Sequence, residues 1–222
     1  MLKEWIEKFK NWLKFLNAAD ETVYTVREGK LTKAAPGIVN AIIPFNVKEV
    51  RINAFKDSKE TLESVEFSGS VFRTLYAFER YPNLSKIVFG KGMKDIDDFD
   101  GCKVSQVTFP EGLEFLGGFN RCYELKSVTV PGSVKRLGGF CDCTSLEQVT
   151  LCDGVQTIAW AFQGCVKLES VVIPESVIAI GEGSFSKTKR FYYKGTKERW
   201  ERITESFTLP EGATVEFEYD GE

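Results

Sequence analysis

An internal repeat of 20 to 24 residues is the feature that most constrains what this chain can fold into. Similar segments begin at Leu62, Leu84, Val104, Leu125, Leu146 and Leu168. A degenerate copy precedes them at Ile38, and a truncated copy follows with Phe191 and Tyr193 in its strand. One copy is too small to bury its apolar side chains, whereas stacked copies share a continuous core. The sequence therefore predicts a solenoid of about seven repeats.

Each copy opens with alternating apolar residues, which is the pattern of a strand that buries one face. The expected inward pairs are Val65/Phe67, Ile87/Phe89, Val107/Phe109, Val128/Val130, Val149/Leu151 and Val171/Ile173. The rest of each copy supplies an aliphatic residue, a phenylalanine and a cysteine or small residue. The phenylalanines are Phe99, Phe119, Phe140, Phe162 and Phe185. We expect a right-handed solenoid with a parallel β-sheet on one face and turns or 3₁₀ segments on the other.

The copy at residues 168–188, LESVVIPESVIAIGEGSFSKT, carries the pattern most completely. It resembles the repeat of the BspA-like (Treponema-type) bacterial leucine-rich-repeat family, with Thr188 in the place of the usual cysteine. Two other copies have LGGF where the family has a longer turn, so we expect their turns to be tighter. The resemblance covers about residues 38–193. It implies a leucine-rich-repeat solenoid that acts as a protein-interaction scaffold and has no catalytic residues.

The two ends of a solenoid need covering, because an open end exposes core and sheet edge. Residues 1–37 are assigned to an N-terminal cap, in which the apolar residues of segment 2–16 recur at helical spacing and predict a capping amphipathic α-helix. Residues 38–193 are assigned to the repeats and residues 194–222 to a C-terminal cap. In that cap Thr196 is expected to begin a short helix with Trp200 facing inward. We expect one continuous domain.

Composition excludes several functional classes. The chain has no histidine, which removes Ser/His/Asp and Cys/His nucleophile arrangements and His-containing zinc sites. The formal net charge of -3 argues against a nucleic-acid partner. No apolar stretch reaches the roughly 18 residues of a transmembrane helix. We expect no enzyme activity, no cofactor and a cytoplasmic location, or a secreted or cell-surface one if a leader segment is removed.

Cysteines and aspartates form the candidate metal sites. One repeat position is shared by four cysteines, Cys102, Cys122, Cys143 and Cys165. Stacking predicts that they form a buried structural ladder of free thiols. A zinc site that recruits Cys141 and Cys152 is the alternative, but the cysteine spacing follows the repeat period. The run Asp95, Asp97, Asp98 and Asp100 projects from one turn. Its carboxylates either face solvent or hold calcium, and we predict no metal site.

The outward side of the predicted sheet is the candidate binding surface. Its columns are rich in Ser, Thr and Gln and carry little charge, which suits a protein or extended polymer better than a small metabolite. Strand propensity alone also favours Thr and Val there. The residues assigned to binding are Glu66, Lys86, Thr108, Thr129, Thr150, Val172 and Tyr192. We expect a non-catalytic scaffold that binds a protein through this face and its flanking turns. The alternative is an assembly module whose N-terminal helix docks a neighbouring subunit or a membrane surface.

Overall fold

The computed structural model describes residues 23–221, in which the repeats stack into a leucine-rich-repeat β-solenoid of about nine turns. Its strands are numbered in chain order, and β1 (Tyr24–Arg27) pairs antiparallel with β2 at one end. The front ladder contains β3 (Asn40–Ile43), β5 (Ser64–Phe67), β7 (Lys86–Val88), β10 (Ser127–Val130), β12 (Gln148–Leu151), β14 (Ser170–Ile173), β16 (Arg190–Tyr193) and β17 (Thr214–Phe217). The back ladder contains β2 (Lys30–Ala34), β4 (Glu49–Val50), β6 (Arg73–Thr74), β8 (Asp95–Asp97), β9 (Phe115–Gly117), β11 (Arg136–Leu137), β13 (Thr157–Ile158) and β15 (Ala179–Ile180).

The front ladder is parallel, and its strands are in register, as the repeat pattern predicts. Val128 pairs with Val149, for example. Inward side chains are mostly buried and outward ones exposed, because successive residues of a strand point to opposite faces. The ladder is divided into three sheets, β3–β5–β7, β10–β12 and β14–β16–β17. Residues 106–109 contribute a further turn between β7 and β10 without strand pairing. The count of about seven repeats was too low because it did not treat β16 and β17 as full turns.

The back of the solenoid differs from the prediction of turns or 3₁₀ segments. Short parallel strands lie there, and residues 23–221 contain one 3₁₀ helix, Lys56–Ser58. The aliphatic residues of the repeat, such as Leu116, Leu137 and Ile158, occupy these strands and pair with one another. Strands β8, β9, β11, β13 and β15 form one continuous five-stranded sheet. The aliphatic position of each repeat therefore forms a second ladder of parallel strands on the back of the solenoid.

A column of phenylalanine rings runs through the core beside the back ladder. Its members, each at most 1% exposed, are Phe78, Phe99, Phe119, Phe140, Phe162 and Phe185. Neighbouring ring centroids are 5.1 to 5.6 Å apart, and the rings are stacked. Burying one such ring stabilises the fold by about 1.5 to 3 kcal/mol relative to leaving it exposed. The column runs beside the back strands from β6 to β15.

The C-terminal helix is confirmed. Helix α1 (Lys197–Ile203) begins after Thr196, whose side-chain oxygen accepts a hydrogen bond from the Arg199 N–H at 3.3 Å. Trp200 is buried, with its ring 5.9 Å from that of Phe191 and 5.4 Å from that of Tyr193. The predicted N-terminal capping helix lies outside the described residues. Among residues 23–221, no helix has the length and apolar character to cross a bilayer.

Candidate functional site

The residues assigned to binding from the sequence lie on the outward side of the front ladder, here called the front face. By pairing or by repeat position, six of them share one column: Glu66, Thr108, Thr129, Thr150, Val172 and Tyr192. Lys86 lies in the neighbouring column, in register with Ser64. The three threonines are exposed, whereas the two residues after them in the column are half-buried. The centre of the front face is therefore exposed and uncharged.

A groove of about 780 Å³ lies on the front face where the ladder breaks between β7 and β10. Within the described part of the chain, residues 106–109 make no backbone–backbone hydrogen bond. The groove is lined on its exposed side by Lys86, Val88, Lys91, Gln106, Thr108 and Glu111. Phe89 and Val107 also line it and are only half-buried, although both occupy inward positions. The break therefore uncovers core side chains that the paired strands conceal elsewhere.

Bulky rings at three successive inward positions account for the break. The ring centroids of Phe67 and Phe89 are 6.0 Å apart, and those of Phe89 and Phe109 are also 6.0 Å apart. Paired strands lie only about 4.7 to 4.9 Å apart, so the stacked rings hold the turns too far from each other. Pairing of β5 with β7 accordingly ends one residue before Phe89. In later turns the same position is occupied by Val130 and Leu151, and those strands pair over their full length.

Charges of both signs flank the groove. Lys86 and Lys91 are exposed near one end, and Glu66 and Glu111 are exposed nearby. None of these four side chains forms an ion pair within residues 23–221. An exposed ion pair between one of these groups and a partner would contribute at most about 1 kcal/mol to the binding free energy. Such charges therefore affect the specificity and orientation of binding more than its affinity. The face therefore offers an uncharged centre with a mixed charged border.

The four cysteines of the repeat form one buried column. Each thiol donates a hydrogen bond to the carbonyl of a phenylalanine one turn earlier: Cys102 to Phe78 (3.2 Å), Cys122 to Phe99 (3.4 Å), Cys143 to Phe119 (3.1 Å) and Cys165 to Phe140 (3.1 Å). Burial raises the pKa of the Cys102 and Cys122 thiols, which disfavours the thiolate. Cys141 and Cys152 are half-buried outside the column. Residues 23–221 contain no group of three or more His, Cys, Asp or Glu arranged to hold a metal ion.

The acidic turn contains one buried carboxylate. Asp98 is 3% exposed and accepts hydrogen bonds from the backbone N–H groups of Ala77 (2.8 Å) and Phe78 (3.4 Å). Burial outweighs these amides and raises the pKa of Asp98 to about 7. Asp100 instead accepts from the backbone N–H of Asn120 at 2.8 Å. The expectation of a solvated turn is wrong for Asp98, which lies next to a core phenylalanine and is drawn inward with it.

Sequence reasoning missed the polar groups that the last two turns add to the front face. Arg190 of β16 lies in register with Ser170, and Glu216 of β17 lies in register with Tyr192. The ring of Tyr192 also packs against Tyr219, with centroids 4.8 Å apart. The alternating residues of the segment TVEFEY predict a final strand, which β17 confirms, but its polar side chains were not assigned to the face. The groove had no comparable signal, because it depends on the spacing between turns.

The chain matches the family model described as the BspA type leucine rich repeat region, in six copies over residues 33–118 and 74–192. The chain belongs to this family. Leucine-rich-repeat proteins generally act in protein–protein interaction, and the family is typically a non-enzymatic binding scaffold. No curated protein matches the chain significantly.

Solved structures share the fold. The leucine-rich repeat protein of T. pallidum is 24% identical, with a TM-score of 0.64, over 90% of this chain and 99% of that chain. The pneumococcal vaccine antigen PcpA is 15% identical, with a TM-score of 0.54, over 91% of this chain and 47% of that chain. At these identities the likeness establishes the architecture alone.

Proposed function

We propose that the chain is a non-catalytic scaffold whose front face binds a protein partner. The observation that carries this proposal is the exposed, uncharged column centred on Thr108, Thr129 and Thr150. Protein interfaces have a centre depleted of charge and a polar rim, and the mixed charges beside this column match that arrangement. A solenoid also holds such a surface rigid over many turns, so little ordering is required on binding.

The groove and the tyrosine pair are the strongest anchor positions on this face. In the groove, the half-buried rings and aliphatic groups of Phe89 and Val107 are available to an inserted apolar side chain. At the far end of the column, Tyr192 and Tyr219 offer an aromatic patch. Aromatic residues in desolvated positions dominate binding energies at protein interfaces. We therefore expect contacts at both places, with the threonines between them covered by the partner.

A triple arginine variant tests the proposal. Partners are captured from the source cell with the wild-type chain, and the affinity of each purified partner is then measured for Thr108→Arg/Thr129→Arg/Thr150→Arg. We expect affinity to fall by roughly a hundredfold, because three unpaired charges are then forced into the centre of the interface. Unchanged affinity in a well-folded triple variant would remove the front face as the site.

The chain offers a matched control on a different side of the solenoid. Tyr123, Thr144 and Val166 each follow a cysteine of the repeat and are exposed. The variant Tyr123→Arg/Thr144→Arg/Val166→Arg adds the same charge at the same spacing between turns. We expect it to bind the partner as tightly as the wild-type chain does, and an equal loss in both variants would indicate a general effect of charge.

The assembly alternative rests on the amphipathic sequence pattern of residues 2–16. Deleting residues 1–17 separates it from the main proposal. If the N-terminal segment docks a neighbouring subunit or a membrane surface, the deletion abolishes oligomers or vesicle binding and leaves partner binding at the front face unchanged. If the front face is the functional surface, the triple arginine variant has the larger effect.

A further inference from the structure

A second recess, separate from the front face, lies on the back ladder where the shortest turns are stacked. Its volume is about 440 Å³. Gly138 and Gly139 line it, and a Cβ added at either glycine would meet the backbone of a neighbouring turn. Trp160, on the next turn, also lines the recess and is 56% exposed. The recess therefore lies where two LGGF turns are followed by the longer turn IAWAF.

The indole of Trp160 is held in place by the backbone. Trp160 has a φ of 52°, the left-handed region that non-glycine residues rarely adopt. The ring lies against Gly183, where an added Cβ would collide with the indole. Gly183 carries no side chain and so leaves room for the indole on the adjoining turn.

Two side chains of opposite charge also line the recess. The guanidinium of Arg136 is stacked over the ring of Phe115, with 5.2 Å between its Cζ and the ring centroid. The carboxylate of Asp97 lies in the same recess and is exposed. Within residues 23–221, neither side chain forms an ion pair or a side-chain hydrogen bond.

Some charges elsewhere on the same ladder are paired. Glu49 accepts hydrogen bonds from Arg51 at 2.8 Å and from Arg73 at 2.7 Å. Glu49 lies on β4, Arg51 directly follows that strand, and Arg73 lies on β6 of the next turn. The geometry of the ladder therefore allows charges on neighbouring turns to pair. Arg136 and Asp97 are not paired in this way, so both keep hydrogen-bonding capacity for a ligand.

We propose that this recess binds an uncharged oligosaccharide, with one sugar ring packed on Trp160 and the hydroxyls of further rings bonded to Arg136 and Asp97. A sugar ring has an apolar face of C–H groups, which suits an exposed aromatic ring. A hydroxyl both donates and accepts, so one ligand satisfies a carboxylate that only accepts and a guanidinium that only donates.

The charge balance of the recess selects against charged ligands. An anionic ligand that pairs with Arg136 is brought close to the carboxylate of Asp97, and a cationic ligand is brought close to the guanidinium. A neutral polyol meets neither repulsion. Recognition by a few fixed polar groups beside an aromatic wall is typical of small-ligand sites of this volume.

The experiment is an NMR titration of the full chain that follows the tryptophan indole N–H signals. The Trp160 signal is assigned with Trp160→Phe. The probes are maltotriose, cellotriose and triacetylchitotriose at roughly 10 mM, above the dissociation constants of weak ligands. We expect at least one probe to shift the Trp160 signal in a saturable way and to leave the signal of buried Trp200 in place. The absence of any Trp160 shift with all three probes would overturn the proposal.

Variants test the polar contacts. Arg136→Ala and Asp97→Asn are each expected to weaken binding of the active probe roughly tenfold, the loss typical of a hydrogen bond to a charged group. Lys135→Ala is the matched control beside Arg136, and Tyr76→Ala is the control for another exposed aromatic with a left-handed backbone. Both controls are expected to bind as the wild type does.

Two results would contradict the assignment. One is that Arg136→Ala and Asp97→Asn bind the active probe as tightly as the wild-type chain does. The other is that glucose 6-phosphate or glucosamine binds more tightly than the neutral sugars. Front-face binding is measured separately, so either proposal can fail alone.

Discussion

In the same three turns, strand pairing is broken on the front ladder and continuous on the back ladder. Between residues 86 and 130 the front ladder breaks, and residues 106–109 pair with neither neighbour. On the back, strands β8, β9 and β11 of these turns pair without interruption. The difference shows that the alignment of the turns is maintained by the back ladder and the phenylalanine column. The front ladder is left free to open, and its opening forms the groove.

Glycine accounts for the close contact on the back, just as phenylalanine accounts for the separation on the front. A Cβ added at Gly118 would collide with the backbone of Asp98, and one added at Gly139 would collide with the backbone of Gly118. The turns therefore approach each other more closely there than any side chain would permit. The distance between neighbouring turns is therefore short on the back ladder, at the glycines, and long on the front ladder, at the phenylalanines.

The largest expected effect comes from deleting a ring of the phenylalanine column. Phe99→Ala removes a ring that is 0% exposed and contacts the rings of Phe78, Phe89 and Phe119. We expect it to lower the free energy of unfolding by about 3 to 5 kcal/mol through cavity formation. Phe89→Ala, in the half-buried wall of the groove, should cost only about 2 kcal/mol. Urea denaturation of both variants measures the difference, and equal losses would contradict the comparison.

The next effect tests the close approach of the back turns. Gly118→Ala places a methyl group against the preceding turn and also strains a backbone with a φ of 71°. We expect a loss of about 3 kcal/mol from the clash and the strain together. The control is Gly37→Ala, which has a similar φ of 72° and nothing within 4 Å of the added methyl group. It should cost about 1 kcal/mol, from backbone strain alone. Equal losses would show that the turns are not in close contact at Gly118.

The third comparison concerns the pH dependence that the buried carboxylate of the acidic turn contributes. Asp98 has a folded-state pKa of about 7, whereas an aspartate in an unfolded chain titrates near 3.9. Between pH of about 4 and 7 the folded chain therefore keeps a proton that the unfolded chain has lost. Stability must fall as the pH rises through this window, by about 1 kcal/mol per unit, and level off above it. Asp98→Asn should remove this part of the pH dependence.

Unfolding free energies of the wild type and Asp98→Asn at pH 4, 5, 6, 7 and 8 measure the effect. Asp97 keeps an exposed surface but is partly desolvated, and this desolvation together with the charge of Asp100 raises its pKa, so it adds a slope of the same sign. The quantity to compare is therefore the difference between the two proteins. Parallel curves for both proteins would show that Asp98 is ionised throughout the range.

The sequence predicted the front strands, the phenylalanine column and the C-terminal helix, because each depends on a residue pattern within one repeat. Val128 and Val149, for example, occupy the same position of neighbouring copies and pair as expected. The break in the front ladder was not predictable in this way. It depends on the distance between turns, which results from the stacking of Phe67, Phe89 and Phe109 together.

The back recess also required the structure. Its residues come from four successive turns, and neither the glycine pairs nor Trp160 indicates a site when read alone. The burial of Asp98 escaped the sequence for a related reason. From the sequence, an aspartate next to a core phenylalanine is expected at the surface. Only the structure shows that Ala77 and Phe78 on the preceding turn donate backbone hydrogen bonds to its carboxylate.

Amide hydrogen exchange tests the contrast between the two ladders most directly. Residues 107–109 on the front have unpaired backbone amides, whereas the N–H of Phe119 on the back donates to Gly139 at 2.7 Å. We expect the amides of residues 107–109 to exchange at least a hundredfold faster than those of Leu116, Gly117 and Phe119, since unpaired amides need no opening of the fold. Equal protection of the two segments would contradict the account, because the front ladder would then be closed at this turn.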